Sequence, residues 1–124
     1  MAGQDAEIRN ATAAAGSPPD VRTTLSEDER ALFEDIADGI DRRLRTMGVV
    51  DPRGARNNVS FVIDCRRRIQ ERRWDRRRQR LICAALEQRH LAAGWRYASV
   101  YVMEHDHLRL RVTLRGQPSR RGAR

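Results

Sequence analysis

Nine arginines fall within the sixteen residues Cys65 to Arg80, CRRRIQERRWDRRRQR, with a single tryptophan at position 74. Guanidinium groups bind phosphate and carboxylate oxygens through paired N–H donors, so this density is chemistry suited to a polyanion. Only Glu71 and Asp75 offset it, which leaves a net charge of +7 over residues 66–80. A helix with no other task intersperses acids at i,i+4 to relieve repulsion, so an external anion is expected to supply what this segment lacks. Nucleic acid is one such anion. An acidic protein surface is another, including the Asp/Glu face of a helix on a second copy of the chain. Arg66, Arg67, Arg73, Arg76, Arg77 and Arg80 are the candidate contacts from the segment.

A second set of residues lies nearer the C-terminus. Trp95 to Met103 (WRYASVYVM) and Leu108 to Arg115 (LRLRVTLR) alternate with period two, as strands do. On the second stretch Leu108, Leu110, Val112 and Leu114 share one face, which Ala98, Val100 and Val102 join from the first. The other face then carries Tyr97, Tyr101, Arg109, Arg111 and Arg115. Tyrosine rings stack on bases and guanidinium groups pair with phosphates, so this face reads as a platform for a single strand or for RNA. An ordinary half-solvated sheet face, or a dimer interface, uses the same residue types.

Other reactive residues point to less. His105 and His107 form an HxH motif, but no further Cys/His cluster completes a closed metal site. Cys65 and Cys83 have neither CxxC nor disulfide-framework spacing and are expected as small reduced side chains on helix faces. His90 falls near a helix end, where a cation is favourable. Without a Ser/His/Asp or Cys/His arrangement, a phosphate-cradling glycine loop or an apolar-flanked carboxylate pair, neither catalysis nor a cofactor is expected.

The charge is unevenly placed. Residues 1–57 carry eight Arg against eleven Asp and Glu, while residues 58–124 carry seventeen against six, so a net of −3 is followed by +11. The total is +8, with an isoelectric point near 11.2. All 25 Lys and Arg residues are arginine. That exclusion of lysine is what a GC-rich coding sequence produces, so arginine number says less here about phosphate recognition. The composition fits a phage- or plasmid-borne accessory protein.

The elements that position these residues follow from pattern. Ser26 with Glu29 three residues on is a capping box, and Leu32, Phe33, Ile36, Ala37, Ile40, Leu44 and Met47 then recur at helical steps up to Gly48. Asp51-Pro52-Arg53-Gly54 is turn chemistry. Val59, Phe61 and Ile63 alternate as a strand, after which Asp64 can cap a helix from about Cys65 to Ala93, ended by Gly94. Were residues 59–92 one helix, Ile69 and Trp74 would point about 140° apart instead of sharing a stripe, which favours the strand at 59–63. At about 43 Å the helix from Cys65 to Ala93 would outrun a strand of about 30 Å, so the arginine half is expected to project or to break and fold back. Glu104 to His107 is the loop of a hairpin.

The expected fold is α+β. A single αβαββ domain over residues 25–115 places two helices on one face of a small three-stranded mixed sheet, with a parallel pair from the crossover. Residues 1–24 and 116–124 are expected as flexible tails, the second of them basic. No apolar run reaches the roughly 18 residues of a membrane span, and the N-terminus lacks signal-peptide order, so a cytoplasmic location is expected. The expected role is a non-enzymatic nucleic-acid-binding accessory protein using arginine–phosphate contacts with low sequence specificity. The alternative is a protein-interaction or structural component, such as an inhibitor, adaptor or assembly subunit, that docks an acidic partner; a homodimer is a third arrangement.

Overall fold

Three strands and three helices follow one another in a computed structural model that describes residues 24–49, 51–52 and 58–117: α1 (Glu27–Thr46), β1 (Asn58–Asp64), α2 (Arg66–Ile69), α3 (Arg76–Ala92), β2 (Tyr97–Val102) and β3 (Arg109–Arg115). The expected N-terminal tail up to residue 23, residues 53 and 54 of the turn, and residues 118–124 of the basic tail lie outside the described residues.

Helix α1 starts where its capping box requires. The Ser26 hydroxyl accepts from Glu29 N–H at 3.1 Å and the Glu29 carboxylate accepts from Ser26 N–H at 2.9 Å. The apolar stripe from Leu32 to Leu44 is buried throughout, and Gly48 takes the left-handed φ of 78° that a C-terminal glycine allows.

The α+β class holds, and the pairing of the strands refines it. Strand order is β1-β3-β2, with both hydrogen-bonded pairs antiparallel. β1 and β2 do run in the same direction across the α2–α3 crossover, but β3 fills the space between them, giving a split βαβ unit. The sheet is therefore antiparallel rather than mixed. Inserting β3 gives its Leu110, Val112 and Leu114 a central position, each with no exposed surface.

The second helix breaks. α2 ends at Ile69, Gln70 adopts a positive φ of 44°, and α3 begins after Asp75, whose carboxylate accepts from Arg78 N–H at 2.9 Å. The offset between Ile69 and Trp74 explains the break. A continuous helix could turn only one of them to the core; with the chain folded back, Ile69 is buried and Trp74 packs at the core's margin. The Trp74 indole N–H donates to His107 C=O at 2.7 Å, tying the turn to the β2–β3 loop.

One layer contains α1 and α3, packed on the Leu/Val face of the sheet around Phe61, Ile82, Leu86 and Val100. Gly116 and Gln117, expected as the start of the tail, are tied back: Gly116 N–H donates to Asn58 Oδ1 and Gln117 N–H to Pro52 C=O. No helix among the described residues is long and apolar enough to cross a membrane.

Candidate nucleic-acid interface

The register turns the open sheet face into four rows across β1, β3 and β2. They read Asn58–Arg115–Tyr97, Ser60–Thr113–Ser99 and Val62–Arg111–Tyr101, with Asp64 beside Arg109 at the end where Met103 N–H meets Arg109 C=O. Tyr97 and Tyr101 are 44% and 51% exposed, and the alternation that places them there follows from period two alone. The Arg115 guanidinium sits over the Tyr97 ring, 5.0 Å from its centroid. Arg111 turns the other way, donating at 3.3 Å to Ser60 Oγ, which lies 3.1 Å from Thr113 Oγ1. Neither Arg111 nor Arg115 has a carboxylate within ion-pair distance among the described residues.

Arg109 differs. Its Nε lies 3.3 Å from Asp106 and 3.8 Å from Asp64, and Arg66 reaches the same two carboxylates at 3.3 and 3.2 Å. The two candidate arginines are thus brought together, but in a cluster of two cations and two anions. Asp64 also accepts from Arg66 N–H at 2.9 Å, so it satisfies a donor at the start of α2 as expected, from one residue before the formal cap at Cys65.

Four more arginines of the segment, Arg68, Arg72, Arg77 and Arg78, meet the acidic helix α1. Arg78 pairs with Asp28 at 2.7 Å and Glu29 at 3.4 Å, Arg77 with Glu29 at 3.5 Å, and Arg72 with Asp35 at 3.3 Å and Asp28 at 3.8 Å. Arg68 donates to the Asp35 carbonyl at 3.0 Å, lying where Gly39 leaves no side chain; a Cβ there would come within 2.5 Å of its guanidinium. Arg73 pairs with Asp75 at 2.7 Å. The missing i,i+4 acids are on α1 of the same chain. Asp28 and Asp35 stand seven residues apart and so share one helix face, a spacing visible in the sequence but not assigned to these arginines.

Glu29 is the buried member of this network. The Ser26 N–H foremost, then its hydroxyl and the Arg78 and Arg77 guanidiniums, hold its carboxyl below the ordinary glutamate range against the opposing effect of burial. Asp75 is lowered too, first by the Arg78 N–H and then by Arg73.

Of the nine arginines between positions 66 and 80, Arg67, Arg76 and Arg80 are exposed and have no carboxylate partner among the described residues. Arg76, Arg80 and Glu87 fall within about 40° of one another on α3. Glu87 accepts from Val100 N–H at 2.8 Å on the free edge of β2, and Arg76 borders a shallow cleft with Val102 and Met103. Arg76 and Arg80 therefore flank the edge strand that carries both tyrosines. Arg73 and Arg77 lie toward α1.

The cysteines and His90 are interior groups. Burial pushes both thiols up to about 12, which makes them inert, and Cys65 sits at the β1–α2 junction rather than on a helix face. His90, expected to favour a cation at a helix end, is 2% exposed; burial foremost, with Arg89 adding to it, lowers its pKa against the effects of Leu86 and Asp41. Its Nδ1 bonds Leu86 C=O at 2.8 Å and its Nε2 lies 3.4 Å from Arg89 Nη1. Arginine can only donate, so Nε2 accepts and Nδ1 carries the proton. Arg89 is gripped by Asp41 at 2.6 and 3.1 Å. This trio borders a cleft of about 530 Å³ with Leu44, Val49 and Trp95. Among the described residues, no three His, Cys, Asp or Glu side chains are grouped to hold a metal ion.

Comparison with protein-family models, with curated proteins and with solved structures returns no match to this chain.

Proposed function

We propose that this chain is a non-enzymatic, intracellular nucleic-acid-binding module that contacts phosphates through arginine with little sequence specificity. The observation that carries the reading is the unequal use of arginine. Five arginines of the 66–80 segment, Arg66, Arg72, Arg73, Arg77 and Arg78, have intramolecular carboxylates, whereas Arg111 and Arg115 lie on an open face without them. Cations that the fold leaves uncompensated favour an external anion, and those that it has paired must first break a contact.

Arg111 and Arg115 with the flanking Arg76 and Arg80 form the proposed surface, and Tyr97 and Tyr101 lie within it. Phosphate contacts position a chain without reading its sequence, which gives the expected low specificity. The test is binding to generic DNA and RNA at two salt concentrations. Affinity should fall by about tenfold or more between them, because each phosphate neutralised releases counterions. No binding to either polymer at low salt removes the proposal and favours an acidic protein partner on the same face.

A further inference from the structure

We infer that the polymer recognised by the open sheet face is single-stranded, with one base stacking on the Tyr101 ring and another on the Arg115 guanidinium that already lies on Tyr97. The inference rests on the polynucleotide reading above and names its substrate class. Two tyrosines in equivalent positions on β2 are treated differently by their neighbours. Arg115 covers Tyr97 at 5.0 Å from the ring centroid, a pre-assembled flat cation on which a base can stack. Arg111, opposite Tyr101 in the register, is drawn instead toward β1 by Ser60 Oγ at 3.3 Å. The Tyr101 ring is left open, and with 51% exposure it is the most exposed large hydrophobic side chain described.

The spacing selects the form of nucleic acid. Tyr97 and Tyr101 are four residues apart on one strand, about 13 Å, whereas neighbouring bases in a duplex strand are about 3.4 Å apart and already stacked on each other. A duplex can offer phosphates to Arg111 and Arg115 but no free base face to the ring. An extended single strand offers both, with its phosphates toward β3 and its bases toward β2. Arg111 also offers its guanidinium to a phosphate between the two stacked bases, since the hydrogen bond it makes among the described residues is to a hydroxyl rather than to an anion.

The experiment is fluorescence anisotropy with labelled oligothymidylate and with a labelled duplex of the same length, using the full chain, Tyr101→Leu, Tyr101→Phe and Tyr97→Leu. Tyr101→Leu should weaken single-strand binding on the order of tenfold and leave duplex binding unchanged, while Tyr101→Phe keeps the ring and retains affinity. Tyr97→Leu removes the support under Arg115 and should weaken the single strand by a smaller factor. Because Tyr101 is half exposed, a thermal melt of each variant that matches the parent confirms that folding is unchanged. Equal affinity for both polymers with no effect of Tyr101→Leu overturns the single-strand inference while leaving phosphate binding intact. Failure of the parent chain to bind either polymer overturns both.

Discussion

Two parts of this molecule are dense in arginine, and the fold uses them in opposite ways. The segment from Arg66 to Arg80 has more cations, but Arg72, Arg77 and Arg78 are spread over the carboxylates of Asp28, Glu29 and Asp35 on α1. The open sheet face has fewer, yet among the described residues the Arg111 and Arg115 guanidiniums meet a hydroxyl and an aromatic ring and no carboxylate. The charge of a linear segment is therefore a poor guide to the charge it shows to a partner. What counts is which acids the topology brings to it, and here the acidic helix α1 is folded against the basic segment.

That contrast can be broken most severely at Glu29. Glu29→Ala removes half of the capping box and leaves Arg78, with 15% of its side chain exposed, with Asp28 in place of two carboxylates. A loss of about 2–4 kcal/mol in a denaturant titration is expected, combining a lost cap with a disrupted, largely buried ion pair. Charge reversal at Arg111 and Arg115 should instead leave the denaturation midpoint within about 0.5 kcal/mol of the parent, because neither group supports the core.

Acid should act on the same side of the comparison. His90 has a lowered folded pKa, so the unfolded chain binds its proton first as pH falls; its contribution is complete above about 6.5 and declines below it. Glu29 has a lowered carboxyl pKa, so its contribution is complete above about 4.5 and is lost as pH drops through the folded value. Urea midpoints measured against pH should show both limbs. His90→Leu should remove the upper limb alone, tested by a flat profile between about pH 5 and 7.

A smaller effect sharpens the contrast. Asp28→Asn with Asp35→Asn releases Arg72 and much of Arg78 from exposed ion pairs, so stability should fall by about 1 kcal/mol while affinity for polyanions rises. At the smallest scale, Gln70→Gly should stabilise the chain by about 0.5 kcal/mol in the same titration, since glycine accepts the positive φ where α2 breaks.

Much of this architecture was legible in the residues. The Ser26–Glu29 box, the α1 stripe and the three alternating strands are local signals, and period two alone assigned Tyr97, Tyr101, Arg109 and Arg111 to one face. The excess length of the second helix over a strand leaves its arginine half to project or to break, and no Gly or Pro marks the break that occurs after Ile69. What local pattern could not supply is pairing between distant segments. It placed β2 next to β1, where β3 in fact lies, because a crossover fixes direction but not adjacency. It also left the arginine segment without acids, because Asp28 and Asp35 lie some forty residues away in sequence and reach it only through the packing of α1 on α3. The place of His90 at a helix end suggests an exposed cation, whereas the packing of α1 and α3 buries it.

The most direct measurement is the salt dependence of oligothymidylate binding for the parent chain, Arg111→Gln with Arg115→Gln, and Arg72→Gln with Arg78→Gln, each at a temperature where it is folded. If the open face holds the phosphates, the first pair lowers the slope of log K against log salt by about 2, less the single-strand attenuation, and the second leaves it unchanged. The reverse order, with the slope lost on removing Arg72 and Arg78 and retained without Arg111 and Arg115, would contradict the account.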